Sequence, residues 1–263
     1  MRTRVVITGL GIMAPNGHGL TEYEMALRAG RSGIRFIPRL KELGFACQVA
    51  GIPQGYEELR GRYFDAEDLL SVNDNIGYAG IAAIDAWRDA GFIVPKPDST
   101  EVDWDTGAIM GSGIGGMDTI AGQVVPKVNA NQIRRMGSTI VQMVMNSSTS
   151  AKIAGMLALG NQVTSNSSAC STGNEAVIDA MLRIRSGLAK RMIAGGSEGS
   201  SPYIWAGFDS MRVLCRKFNG EPEKASRPMS GSAAGFVPGS GAGALVLEDL
   251  ETEQSRGAKI YAE

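Results

Sequence analysis

Residues 162–187 read QVTSNSSACSTGNEAVIDAMLRIRSG, and the fold turns on how this stretch divides. Residues 162–165 favour a strand, and 162–168 as a whole is β-compatible. Over 171–186 the residues Ala176, Val177, Ala180, Met181 and Ile184 recur on one helical face, with Gly187 behind them as a stop. Cys170 therefore falls on the turn between strand and helix. A packing cysteine normally sits among apolar neighbours, and this one lies in a run of small polar residues. A sharp strand-to-helix turn is the geometry of a nucleophile elbow, which presents one side chain at the edge of a sheet. The helix N-terminus favours a thiolate over a thiol, and its unpaired N–H groups can hydrogen-bond an oxyanion formed on a thioester carbonyl. Ser167, Ser168, Ala169, Ser171 and Gly173 are small enough to leave room for a long substrate. A helix-capping turn holding an inert cysteine fits the same residues, so two readings stand.

Outward from the elbow, short apolar runs alternate with longer amphipathic segments, the pattern of an α/β protein. Further strands are expected over 4–8, 107–110, 191–194 and 242–248. Ile76, Ala79, Ala83, Ile84 and Trp87 mark a helix that Gly91 ends, and 138–159 reads as one continuous helix ending before Gly160. Residues 95–100 and 219–228 read as surface loops. Two G-x-G-x-x-G/A patterns occur, Gly9 to Ala14 and Gly111 to Gly116. A dinucleotide fingerprint needs a helix N-terminus behind it, and Pro15-Asn16-Gly17 and a Val-Val-Pro segment stand in the way. Both are read as tight strand-end turns.

Hydrophobic residues make up 43% of the 263 and charged residues 20%, which excludes a disordered chain. The formal net charge of −1 argues against general binding to nucleic acid or anionic membranes. No stretch of about twenty apolar residues could cross a bilayer, and the start runs directly into a strand without a signal core. Cys47, Cys170 and Cys215 show no metal-ligand spacing, so a reduced, cytoplasmic setting is expected. Cys47 reads as a strand residue and Cys215 as a packing residue. The single histidine, His18, reads as structural or surface.

SSACSTGNEAVIDAMLRIRSG, RMIAGGSEG and KFNGEPEKASRP together strongly resemble the β-ketoacyl-[acyl-carrier-protein] synthases of the type I/II elongation group. VVITGLGIMAPNG, LRAGRSGI, GSGIGGM, GAGALVLEDLE and RGAKIYAE follow the same family order from end to end. The resemblance implies an α/β, thiolase-like fold. Residues 1–263 would be the N-terminal half of its five-layer αβαβα architecture, a mixed five-stranded sheet flanked by helices. It implies a ketosynthase of fatty-acid or polyketide biosynthesis, working as a homodimer or as a heterodimer with a ketosynthase-like subunit. An acyl group would pass from an acyl-carrier protein to Cys170, and malonyl-carrier protein would then condense with it as carbon dioxide is lost. No metal or cofactor is implied, the substrates being carried on phosphopantetheine. By motif position Cys170 is the acylated nucleophile, and its backbone N–H is one oxyanion donor. Ile114 and Phe208 match residues lining the acyl pocket, and Met136 falls where a dimer partner closes the pocket end. Arg212 matches a carrier-protein contact, with Arg134 and Arg135 as possible additions to the same rim.

The chain departs from the family in two ways. The two histidines that assist malonyl decarboxylation belong to a C-terminal half not in this sequence, and His18 matches neither. The chain is then expected to be part of a longer synthase, one piece of a split enzyme, or a non-catalytic docking or chain-length partner. The intact Cys170 motif counts against the last. The second departure lies in RPMSGSAAGFVPGSGAG, where Met229, Ser230, Ala233, Ala234 and Ser240 replace a charged family pattern. Losing both signs together avoids stranding one buried charge, at about 3–5 kcal/mol. A specialised synthase, for a polyketide or polyene-like product, fits that change.

Overall fold

In the computed structural model, which describes residues 3–97 and 99–263, a mixed sheet carries the molecule. Its strands are β1 (Val5–Ala14), β2 (Gly17–His18), β5 (Thr106–Gly111), β6 (Val163–Thr164), β7 (Arg191–Glu198) and β8 (Gly241–Asp249). They lie in the order β2-β1-β8-β7-β5-β6. β5 is parallel to β6 and β7, whereas β8 runs antiparallel to both β1 and β7. The five expected strands are all present. The sixth, β2, is a two-residue return after the Pro15-Asn16 turn, which pairs Ala14 with Gly17. A second sheet, of β3 (Ile34–Phe36) and β4 (Val49–Gly51), was not foreseen. Cys47 lies just before β4 and not in a strand, but it is fully buried like Cys215, and both pack in one apolar cluster.

Helices cover both faces because successive strand residues point to opposite sides. Ala108 and Met110 of β5 join a core beneath α2 (Asp74–Asp89) and α3 (Ser148–Leu157), while Ile109 joins the core beneath α4 (Thr172–Arg185). α2 begins where the Asn73 side chain accepts the Ile76 N–H, and it ends ahead of Gly91 at φ +84°. It lies very close to the sheet. A Cβ on Gly9 would stand 2.1 Å from the Ala86 carbonyl, and one on Gly11 would stand 1.9 Å from that of Ala82. These two glycines are therefore not strand-end turns, as the sequence had implied. They lie within β1 and clear a path for the helix.

The expected helix over 138–159 is broken into Ile140–Val144 and α3, with Met145 extended between them. Tertiary partners hold the break, and one of them takes a carbonyl that would continue the helix. Asn73 Nδ2 donates to the Met143 carbonyl, and Asn146 Oδ1 accepts the Gly115 N–H. Ser and Thr hydroxyls behind the break also bond backbone carbonyls and compete with helix continuation. The helix then ends at Ala158, in the left-handed region at φ +51°, two residues before Gly160. Segment 219–228 runs over the surface but is anchored by buried Ala225, and within 95–100 Asp98 lies outside the described residues.

At the far end of the sheet Glu248 is fully buried and paired. It accepts Thr8 Oγ1 at 2.5 Å and Arg191 Nε at 3.1 Å, and it also pairs with Arg256. Arg191 in turn reaches Asp103 at 3.1 Å. The cluster ties β1, β7 and β8 together at the end opposite the elbow. His18 Nε2 lies 2.9 Å from Asp85 Oδ2, and Tyr63 donates to the same carboxylate, a structural placement as expected.

Gly11→Ala should lower unfolding stability by roughly 3 kcal/mol, since the obstruction is backbone and a packed core does not yield cheaply. Gly155→Ala, on an open face of α3 where an added Cβ meets nothing within 4 Å, should be neutral or slightly stabilising. Urea denaturation of both variants tests this, and equal effects would contradict it.

Candidate active site

The elbow is built from its own hydroxyls. After β6 the chain stays non-helical through Ser168, turns left-handed at Ala169 (φ +52°), and passes through a 3-10 turn, Ala169–Ser171, into α4. The regular strand is shorter than the β-compatible stretch 162–168. A left-handed alanine costs about 1–2 kcal/mol, and that strain needs an offset. Buried Thr172 supplies one. Its Oγ1 donates to the Ala169 carbonyl at 2.7 Å and accepts the Ser168 N–H at 2.8 Å, while its own carbonyl accepts Asn166 Nδ2 at 2.8 Å. Sequence reasoning passed over Thr172, although a hydroxyl opening a helix directly behind a candidate nucleophile was a usable signal.

Close packing then sets where the elbow sits. A Cβ on Gly111 would meet Thr172 Cγ2 at 2.0 Å, and one on Gly196 would meet Gly173 Cα at 3.1 Å. The first turn of α4 is thus pressed against the C-terminal ends of β5 and β7. Cys170 is exposed there, the only one of the three thiols that is. Its backbone N–H has no acceptor among the described residues, so it can serve a ligand oxygen. Asn166 Oδ1 and Ser168 Oγ are buried and also without partners among the described residues. Such groups cost about 1–3 kcal/mol each and concentrate where function competes with stability.

Cys170 opens on a cavity of about 260 Å³ whose lining includes Ile114, Ile204, Trp205, Phe208 and Phe236. The structure therefore brings Cys170, Ile114 and Phe208 to one apolar space. Phe208, on α5 (Pro202–Ser210), meets Phe236 edge-on at 5.5 Å. A wider cleft of about 500 Å³ crosses the strand ends on the other side of Ala169. Met136 lines neither space. It is half-buried behind the short turn Ile133–Arg135, which leaves Arg134 and Arg135 exposed. Arg212 is exposed on the turn after α5, left-handed at φ +61°, two residues before Leu214 of the cavity wall.

Glu198, which closes β7, was not foreseen, and it borders both spaces. Its carboxylate accepts the Gly113 N–H at 3.0 Å, the Ile114 N–H at 3.3 Å and Ser112 Oγ at 3.1 Å. Burial pushes this carboxyl above its ordinary range, against the opposing pull of those hydrogen bonds. The available signal was an acidic residue at the C-terminal end of a parallel strand, where α/β sheets place ligands.

The description "Beta-ketoacyl synthase, N-terminal domain" matches residues 2–253. The chain belongs to that family. Whole-chain matches include the 3-oxoacyl-[acyl-carrier-protein] synthase 2 of Synechocystis sp., at 33% identity over 264 residues and 61% of that protein. The synthase 2 of Vibrio cholerae is 35% identical over 267 residues, covering all of this chain and 62% of its own. The chain thus spans about three fifths of the length of these relatives. Among solved structures, a β-ketoacyl synthase from Burkholderia phymatum aligns at TM-score 0.83 with 29% identity, over 98% of this chain and 62% of its own. The ishigamide ketosynthase/chain length factor aligns at 0.85 with 30% identity, over 99% and 62%. A type II polyketide synthase ketosynthase, in complex with its acyl-carrier protein and bound to the hexaketide, aligns at 0.85 with 26% identity, over 99% and 62%. These neighbours are ketosynthases of thiolase-like fold, so that architecture stands as expected.

Because burial raises Glu198 in the folded chain, protonation favours folding, and its contribution weakens as pH rises from the ordinary carboxylate range through the raised value. Glu198→Gln cannot ionise. The melting temperature of E198Q relative to wild type should therefore be more favourable near pH 7 than near pH 4. A relative value that stays constant or moves the other way would contradict the burial effect.

Proposed function

We propose that this chain is the acyl-accepting part of a ketosynthase of fatty-acid or polyketide biosynthesis. The observation that carries this reading is an exposed thiol on a strand-to-helix elbow, with a backbone amide that has no acceptor among the described residues and an apolar cavity behind it. In the first stage the Cys170 thiolate attacks the carbonyl of an acyl thioester borne on the phosphopantetheine of an acyl-carrier protein. The negative charge passes to the carbonyl oxygen, which the Cys170 N–H can receive. Collapse of that intermediate expels the phosphopantetheine thiolate and leaves the acyl group on sulfur. One such donor typically contributes a factor of about 10²–10³.

In the second stage malonyl-carrier protein loses carbon dioxide, and the resulting carbanion attacks the acyl-cysteine to give a 3-oxoacyl product. The family's two histidines serve this stage, and His18, already engaged by Asp85 and Tyr63, is not placed to do so. The loading stage is therefore what these residues themselves support. Condensation is assigned to the longer synthase or to a second polypeptide, and the chemistry calls for no metal or redox cofactor.

The outer face of α4 exposes Ile178 at 50% and Leu182 at 44%, which supports a further layer packing there, as the five-layer architecture requires. The carrier-protein complex and the ketosynthase/chain length factor among the structural neighbours support an acyl-carrier protein and a ketosynthase-like subunit as partners. In this reading Arg212 meets the carrier, Ile114 and Phe208 hold the acyl chain, and Met136 acts from a dimer partner. No helix among the described residues is long and apolar enough to cross a membrane, and a cytoplasmic setting fits the reduced thiols.

Incubation with an acyl-carrier protein charged with a saturated acyl group, followed by intact mass spectrometry, tests the loading stage. The expected result is a single acyl increment that is absent from Cys170→Ala. No increment on the wild-type chain would favour a docking subunit instead.

A further inference from the structure

Ile114 sits in a loop with almost no stiffness of its own. Its neighbours are Gly113, Gly115 and Gly116, and glycine has the largest backbone freedom to lose on ordering. The loop is nonetheless fixed, because each N–H from 113 to 115 is held by a side chain from elsewhere. Glu198 takes those of Gly113 and Ile114, and Asn146 takes that of Gly115 at 2.8 Å. Successive amides turned toward one point form an anion-binding concavity, and here the chain's own carboxylate fills it.

Glu198 is itself braced from behind. Ser112 Oγ donates to it and accepts Asn75 Nδ2 at 3.0 Å, and Asn75 Oδ1 accepts Ser197 Oγ at 2.8 Å. Asn75 belongs to α2, so the brace runs from the buried helix through the end of β7 to the loop. Glu198 makes no ion pair among the described residues. A carboxylate desolvated without a cation is a costly choice, and here both of its oxygens are used on the loop.

We propose that Glu198 is a positioning residue that fixes the Gly113–Ile114 backbone and thereby sets the acyl length accepted beside Cys170. The proposal rests on the acyl-accepting role assigned to Cys170. It makes the carboxylate a determinant of specificity without any contact with the reacting atoms. Releasing the loop lets Ile114 withdraw from the cavity, which favours longer chains.

The test loads the full chain with a series of saturated acyl phosphopantetheine thioesters, from butanoyl to dodecanoyl, and follows Cys170 acylation by intact mass. The readout is the ratio of long-chain to short-chain acylation within each variant, which cancels any change in thiol reactivity. Glu198→Ala should raise this ratio about tenfold, the equivalent of one charge-assisted hydrogen bond lost from the loop. Glu198→Gln, which keeps the shape and one oxygen, should move it in the same direction by less. In an Ile114→Ala background the change at Glu198 should leave the ratio unmoved. If Glu198→Ala does not fold, Glu198→Gln decides. A folded variant that slows all lengths equally, or keeps the wild-type ratio, overturns the proposal. Failure of the wild-type chain to accept any thioester overturns the acyl-accepting role first, and this inference with it.

Discussion

Everything at the elbow depends on missing side-chain atoms where α4 meets the sheet. Gly111 ends β5 and Gly196 lies two residues before the end of β7, both without a Cβ, so Thr172 and Gly173 can lie directly against them. On the opposite face Gly9 and Gly11 do the same for α2. Two helices are thereby held against one sheet at distances that ordinary residues would forbid. The first turn of α4 cannot drift outward, and the residue two before it is fixed relative to the ends of β5 and β7. A cysteine placed there inherits its position from the backbone.

That rigid frame carries local costs. Ala169 is left-handed, and Asn166 Oδ1 and Ser168 Oγ are buried without partners among the described residues. Against them stand the bonds of Thr172 and, one loop away, the fully engaged carboxylate of Glu198. Strain is concentrated within a few residues of the thiol, whereas the backbone amides of the neighbouring loop are satisfied. This division suits a site where one segment must be ready to react and the next must hold a shape.

Much of this was legible in the residues. Strand and helix periodicity located five strands of the main sheet, α2 and α4, and the small polar run placed Cys170 on the turn between β6 and α4. What escaped notice depended on contacts distant in sequence. Gly9 and Gly11 resemble turn glycines because a pattern does not reveal which glycine faces a helix backbone. The break after Val144 arises from Asn73 and from a loop that borrows Asn146, and neither changes local helix propensity. Glu198 looks like a solvated end of a strand until the Gly113–Ile114 loop is folded over it. Ile114 and Phe208 were named through family resemblance, since apolar residues in isolation read as ordinary core.

The burial of Cys47 and Cys215 has a practical side. Both are fully enclosed in one apolar cluster, and burial pushes the Cys47 thiol up, away from the reactive thiolate. Thiol reagents applied to the native chain therefore meet a single exposed address among its three cysteines. A fluorophore or spin label can be installed beside the acyl cavity of the unaltered chain, with no cysteines removed and none introduced. The molecule carries its own spectroscopic port, aimed at the space whose occupancy matters most.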